Sequence, residues 1–404
     1  MLQQFSVTNH RSIRERTTIS LLATRDSSLR DCILSPDETQ QASRSASRPY
    51  GSKALVPVLA LYGANAAGKS NLIHALLLMR SFVAGEHARP LKDAPLPQEP
   101  FAFTEGNSLP TTLEVIYYFE GVKYAYGFSF DRKKIIEEYL YHWPNGREAL
   151  IFSRTGNNYQ FRENISEQQT LAGRTPENRL YLVSSNEWNC PQTAKAYLWF
   201  TRKLSDLSGE TLSFDQTLAA LKQGGNLKGK ILHEMLVADL GIVDVRISDS
   251  SDVPQITMVH QLQTADGDVK QYPLLLSQES QGTQRFFSRI GSWIQALEMG
   301  GVLIVDEIEA SLHPLLTRHL IETIQDKSVN RNQAQLIFTT HDVGLLDQNL
   351  LRRDQIWFAQ KDEKTAETEI YALTDFSPRK SENISRGYLQ GRYGAIPFIG
   401  GSDI

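Results

Sequence analysis

Gly63-Ala-Asn65-Ala-Ala-Gly68-Lys69-Ser70 fits G-x-x-x-x-G-K-[ST] at every fixed position. Ahead of it, ALVPVLALY (54–62) reads as a strongly buried strand. Behind it, SNLIHALLLMRSF places Leu72, Ala75, Leu76 and Met79 at helical spacing. A strand, a glycine-rich turn and a helix form the setting in which a loop wraps a phosphate with its backbone N–H groups aimed inward. Lys69 is then placed to neutralise β- and γ-phosphates, and Ser70 to hold Mg²⁺ through its hydroxyl. Gly63, Asn65, Gly68 and Asn71 join them as candidate nucleotide contacts.

The second half of such a site is also present. Val302-Leu-Ile-Val-Asp306-Glu307 is an apolar strand that ends in two acids, as a metal-bound phosphate requires at the carboxyl edge of a sheet. Asp306 is the candidate Mg²⁺ ligand, and Glu307 the group that polarises the attacking water. The expected cofactors are ATP and Mg²⁺, and the expected reaction is ATP hydrolysis.

Outward from this pair, residues 2–8 alternate as an edge strand and 18–23 suit a second. The polar, Ser-rich stretch 36–52 reads as a surface loop. TTLEVIYYFEGVKYAYGFSF (111–130) predicts two strands around a Glu120-Gly121 turn, and Ile135 to Trp143 a third. The pattern turns helical from about 190 to 240 and strand-like over 242–260. A helix is expected from near Ser280 and another at 314–326, with AQLIFTTHD (334–342) as a buried strand.

Composition narrows the alternatives. The 404 residues include 42 Lys+Arg and 46 Asp+Glu, a net charge of −4 that does not support a nucleic-acid coat over most of the surface. With 41% hydrophobic and 22% charged residues, the chain has the apolar surface for a sizeable core. No apolar run approaches the ~20 residues that span a bilayer. The start lacks the apolar region of a signal peptide, and Cys32 and Cys190 lie far apart, outside metal-ligand spacing. A reduced cytoplasmic setting is expected.

Three further motifs resemble those of the ABC-type head ATPases, the group that includes chromosome-maintenance and DNA-repair heads. Glu279-Ser280-Gln281-Gly282-Thr283 resembles the signature motif, DEIEASLHP (306–314) the D-loop, and His341 in TTHD the switch histidine. The resemblance implies an α/β P-loop NTPase of ABC-ATPase head type, with an added antiparallel β subdomain and a helical insertion. It also implies two heads paired around two ATPs, with Ser280 and Gly282 acting in trans. Taken alone, Ser280 better suits a helix cap and His341 a satisfied strand-end histidine; their positions relative to Asp306 reverse both readings. His313 stands where the superfamily usually has Asp. Asn9-His-Arg11-Ser12 resembles the Asn-Phe-Arg-Ser motif of repair-type heads, which implies a phosphate contact for Arg11. Gln98 and Phe101-Ala-Phe103 lie where the Q-loop would fall, and no residue there stands out.

Over nearly its whole length the chain is similar to bacterial AAA-type ATP-binding proteins of the RloA and AbiLi abortive-infection kind, relatives of the overcoming-lysogenization-defect ATPases. FSVTNHRSI, SLLAT, the phosphate loop, YAYGF, SQGTQR, DEIEASLHP, TTHD and Tyr388-Leu-Gln-Gly-Arg-Tyr-Gly-Ala-Ile-Pro397 carry this likeness. About 60 residues follow His341, too few for the Toprim nuclease of those relatives at typical domain sizes. The resemblance implies a cytoplasmic homodimer or higher oligomer that controls a separate effector protein in phage defence.

The expected division is an N-terminal lobe over 1–185, a helical insertion over 186–240 and a C-terminal lobe over 241–404. A DNA-gripping clamp is the competing reading. Its candidate contacts are the Arg285/Arg289 pair and the Lys123, Arg132, Lys133, Lys134 cluster.

Overall fold

A computed structural model describes residues 1–36, 54–86, 95–103, 109–208, 213–238, 241–248, 254–263, 267–379 and 382–397. The expected surface loop 36–52, apart from Pro36, lies outside the described residues.

The chain opens with β1 (Leu2–Thr8), β2 (Thr17–Ser20), β3 (Val58–Tyr62) and α1 (Lys69–Val83). β4 (Thr111–Phe119) and β5 (Val122–Phe130) form the expected hairpin. Its turn residues Glu120 (φ 50°) and Gly121 (φ 75°) both take the positive φ that matches strand twist. β6 (Ile135–Trp143), β7 (Ala149–Thr155) and β8 (Asn158–Phe161) continue the meander. α2 (Ile165–Ala172), α3 (Tyr181–Glu187) and α4 (Pro191–Lys203) lead into the short β9 (Leu204–Asp206). α5 (Asp215–Gln223) and α6 (Gly225–Val237) precede β10 (Ile242–Ser248), β11 (Gln255–Gln263) and β12 (Val269–Leu275). The last third holds α7 (Gln281–Met299), β13 (Val302–Val305), α8 (Pro314–Gln325), β14 (Gln335–Thr340), β15 (Ile356–Lys361), β16 (Thr368–Ala372) and α9 (Ile384–Leu389).

The central sheet runs β16-β15-β3-β14-β13-β9 and is parallel except for β16. Its strands are covered on both faces, which explains their unbroken apolar runs. Leu59, Leu61, Val302, Ile304 and Ile337 enter one core, while Val58, Ala60, Tyr62, Leu303, Val305, Leu336 and Phe338 enter the other. The first core is closed by the antiparallel sheet β2-β1-β4-β5-β6-β7-β8 and by α1 and α4. Trp199 of α4, fully buried, stacks on Tyr117 of β4 at 4.0 Å between ring centroids. Gln335 joins the two sheets, accepting from the Leu2 N–H at 2.5 Å and donating to the Leu2 carbonyl at 3.0 Å.

The fold is therefore α/β, a mainly parallel central sheet with an antiparallel β subdomain and added helices. The helical stretch expected over 186–240 divides between the two cores. α4 is built into the first, and β9 extends the central sheet beside β13. α5 and α6 pack against α7 in the second, where Thr217 Oγ1 donates to the Phe287 carbonyl at 2.8 Å. No helix among the described residues is long and apolar enough to cross a membrane.

Candidate nucleotide site

The carboxyl ends of β3, β13 and β14, adjacent in the central sheet, bring the site together. The loop after β3 turns sharply, with Gly63 at φ 155°, Ala66 at 63° and Gly68 at 97°. A Cβ on Gly63 would lie 2.3 Å from the Ala359 carbonyl oxygen, so the loop is pressed against β15 and only glycine fits. Lys69 begins α1 and is 7% exposed. Its Nζ donates to the carbonyls of Gly63 (2.7 Å) and Ala64 (3.1 Å). Burial lowers the ammonium from its ordinary value, while Glu307, Asp306 and Glu309 oppose that shift. Ser70 and Asn65 are exposed at the mouth.

Behind the loop lies a polar clasp. Asn71 Nδ2 donates to Ser12 Oγ at 2.6 Å, and Ser12 Oγ pairs with Thr368 Oγ1 at 2.7 Å. Thr368 Oγ1 in turn donates to the Ala67 carbonyl at 3.0 Å. Thus the Asn9–Ser12 motif reaches the loop through Ser12. Its neighbour Arg11 is instead held by Glu99, with Nε 2.6 Å from the carboxylate.

Asp306 and Glu307 leave β13 side by side, Asp306 half-buried and Glu307 exposed. Ser208 Oγ accepts the Asp306 N–H at 2.9 Å, and the Thr339 hydroxyl donates to the Asp306 carboxylate. Glu307 sits at φ 50°, a strained conformation for a residue with a side chain. His341, just past β14, is exposed, and its Nδ1 lies 2.9 Å from Glu309. Beside the loop, residues 63–67, His341 and the C-terminal residues Tyr388, Leu389 and Ala395–Pro397 line a cleft of about 970 Å³.

Ser280 is the exposed N-cap of α7, its Oγ accepting the Thr283 N–H at 3.1 Å. The helix-cap reading of Ser280 is therefore met in the structure. A Cβ on Gly282 would lie 2.8 Å from the Ser311 carbonyl oxygen, so the start of α7 packs directly on the 306–314 segment. His313 caps α8, its Nδ1 accepting the Leu315 N–H at 3.3 Å. Gln98 donates to the carbonyls of Leu109 (3.0 Å) and Phe130 (3.4 Å). Of the paired arginines, Arg289 is 6% exposed and donates to the Ile308 carbonyl at 3.1 Å, so it offers nothing to an outside ligand.

Sequence reasoning missed Glu309, Thr339, Ser208 and Thr368, and named Ser12 only within the Asn9–Ser12 motif. A third acid three residues after Asp306 was a visible signal for Glu309. The others act across 30 residues or more, with no local pattern.

The residues present fit a nucleotide triphosphate with Mg²⁺. Glycine at 63 and 68 lets the loop turn tightly against Ala359 and Thr368, and a buried lysine is tethered to its backbone. Among the described residues no group of three or more His, Cys, Asp or Glu forms a metal site of its own. Ser70 and Asp306 would thus hold Mg²⁺ together with phosphate oxygens, its usual mode of binding.

A family model described as "AAA domain, putative AbiEii toxin, Type IV TA system" matches residues 58–347. No curated protein matches the sequence. Among solved structures, the chain is similar to the SMC head domain from Thermotoga maritima (12% identity, TM-score 0.39), over 92% of this chain and 98% of that one. It is also similar to the Smc head with an extended coiled coil from Pyrococcus furiosus, bound to the C-terminal domain of ScpA (11%, TM-score 0.41, 93% and 97%). A third is cbiO1 from Clostridium perfringens, part of an ABC transporter complex (9%, TM-score 0.33, 98% and 98%).

Proposed function

The chain belongs to this AAA-domain family, and from that premise we propose that it is an ATP-hydrolysing switch that dimerises around ATP and controls an effector protein in bacterial anti-phage defence. One observation carries the ATPase reading: the phosphate loop, Asp306, Glu307 and His341 converge from three neighbouring strands, with Thr339 bonded to both acids.

Bound ATP with Mg²⁺ supplies the scissile phosphoanhydride and its charge clamp. Lys69, now held by two loop carbonyls, provides the cation that meets the phosphates. Ser70 and Asp306 orient the metal. Glu307, exposed and anchored through its backbone N–H, accepts a proton from the attacking water at its carboxylate. His341 contacts the γ-phosphate end, and Arg11 reaches the nucleotide only on releasing Glu99. Ser280 and Gly282 at the start of α7 serve the nucleotide of a second copy, so ATP acts as the adhesive of the dimer.

Mg²⁺-dependent phosphate release tests the core reading. Lys69→Ala abolishes nucleotide binding; Glu307→Gln keeps binding, slows release and shifts the ATP-bound protein to a dimer in light scattering. Wild-type turnover by Lys69→Ala would sink it. The effector role rests on resemblance and on the family. Pull-downs with Glu307→Gln and ATP from the native host recover the effector; an empty pull-down removes that part of the proposal.

The DNA-clamp alternative has lost Arg289 to the interior and retains Lys123, Arg132, Lys133 and Lys134. Duplex binding that is stimulated by ATP and falls steeply with salt would restore it.

A further inference from the structure

Glu309 has no role in the reading above, yet its side chain is only 13% exposed beside the site. A single oxygen, Oε1, holds His341 twice. The His341 backbone N–H donates to it at 2.8 Å, and the ring Nδ1 lies 2.9 Å away. A carboxylate only accepts, so Nδ1 carries the proton and Nε2 is the free nitrogen. The backbone bond fixes the main chain, and the ring nitrogen rests at ion-pair distance from the same oxygen. The ring itself stays open, with the side chain 60% exposed.

Simple packing does not explain an acid here. Glu309 Oε2 is buried and has no hydrogen-bond partner among the described residues. The Tyr62 hydroxyl at the end of β3 is likewise buried without one, held protonated by burial and by the Asp342 and Glu309 charges. Leaving a carboxylate oxygen unfilled at this depth costs stability, so the residue is better explained by what Oε1 does. The segment is also gripped from behind. Arg289 on α7, the helix that starts at Ser280, donates to the carbonyl of Ile308, the residue before Glu309.

We propose that Glu309 is the positioning residue for His341. It fixes the Nδ1-protonated tautomer and the ring rotation that turns Nε2 toward the γ-phosphate end of a bound nucleotide, and Arg289 seats it against the signature helix. The γ-phosphate part rests on the ATPase reading; the tautomer does not.

The test has two arms. In the full chain without nucleotide, NMR of ¹⁵N-labelled histidines reads the tautomer, with His341 assigned by its loss in His341→Gln. The expected result is Nδ1–H in wild type and in Glu309→Gln, whose amide oxygen still accepts, and a mixed or Nε2–H ring in Glu309→Ala. An Nε2–H ring in wild type overturns the proposal. In steady-state hydrolysis, Glu309→Ala lowers kcat about 10–100-fold, as loss of an outer-shell partner does, with KM changed by less than about 2-fold. Glu309→Gln recovers most of the rate, and the Glu309→Ala/His341→Ala double is no slower than His341→Ala. A double whose loss is the product of the two singles overturns it. If wild type and Lys69→Ala are equally silent toward ATP, the ATPase reading fails, and the NMR arm alone decides Glu309.

Discussion

The hydroxyl oxygen of Thr339 accepts the backbone N–H of Glu307 at 2.8 Å. The same hydroxyl donates to the Asp306 carboxylate, and the Thr339 carbonyl accepts the Ile308 N–H at 3.1 Å. One fully buried threonine on β14 thus grips three consecutive residues leaving β13. That grip offsets the strain of Glu307 at φ 50°, a left-handed conformation worth roughly 1–2 kcal/mol against a side chain. It also fixes the spacing between the candidate metal ligand and the candidate base.

Thr339→Val keeps the shape and removes both hydroxyl contacts. The orphaned Glu307 N–H costs about 1–3 kcal/mol of stability in urea melts. Phosphate release falls about 10–100-fold, the usual effect of losing a supporting partner, while ATP affinity stays near wild type. Thr339→Ser retains the rate. Wild-type turnover by Thr339→Val would show that the hydroxyl does not position the acids.

Gly68→Ala separates loop geometry from charge. A Cβ there would lie 2.1 Å from Thr368 Oγ1 and 2.9 Å from Ser12 Oγ, on a backbone at φ 97°. Both atoms belong to the clasp that holds Asn71 and Ala67. Fluorescent-nucleotide titration should show affinity reduced at least about tenfold, or about 1.4 kcal/mol, with the fold intact by circular dichroism. Adding Thr368→Ala relieves the clash with Thr368 but neither the Ser12 contact nor the φ strain, so rescue is partial. Full rescue would show that φ strain contributes nothing.

The loop and the acids were legible because their chemistry demands fixed residue types at short spacing. The meander was legible where one face alternates, as in β4 and β5. Three features were not. Residues 54–62 read as one strand, but ladder pairing starts at Val58, and Leu55 makes only isolated bridges to Leu22 and Leu34. β9 is three residues, Leu204-Ser-Asp206, with no period to detect; it is a strand only because Val302–Ile304 lie beside it. Ser12 and Thr368 meet across 356 positions, and nothing local in either segment announces that contact. Arg289 failed for a related reason: helical spacing puts it near Arg285, but not on which side of the surface.

The His10–His74 pair predicts acid sensitivity. His10 Nε2 lies 3.0 Å from His74 Nδ1, and His10 Nδ1 is buried with no hydrogen-bond partner among the described residues. Burial, then His74 and Arg11, push His10 down from 6.5 to about 3, with Glu99 opposing. The unfolded chain therefore takes up this proton near pH 6.5 and the folded chain only near pH 3. The stability is present above 6.5 and lost as pH falls through that window, at up to about 1.4 kcal/mol per unit. Urea midpoints of wild type should fall more steeply between pH 7 and 4 than those of His10→Gln. Parallel profiles would mean that His10 is protonated in the folded protein.

The C-terminal block, residues 388–397, is joined to the phosphate loop itself. The Ala395 carbonyl accepts the Ala64 N–H at 2.9 Å and the Tyr388 hydroxyl at 3.0 Å. Gln360 Oε1 accepts the Ala395 N–H at 3.1 Å, and the Tyr371 hydroxyl donates to the Tyr393 carbonyl at 2.8 Å. Gly394, at φ 65°, has room for no side chain, because a Cβ would lie 2.3 Å from Gln360 Oε1 and 2.7 Å from the Tyr371 hydroxyl. Gly394→Ala should therefore shift the Ala395 carbonyl away from Ala64 and loosen the start of the loop. The expected loss of ATP affinity is about 5-fold, the equivalent of one net hydrogen bond of ~1 kcal/mol, together with a lower melting temperature. A lower melting temperature with unchanged affinity would make this block a brace for the Tyr371 and Tyr393 packing alone, because only a change in affinity reports that the Ala64–Ala395 bond helps hold the loop in its binding shape.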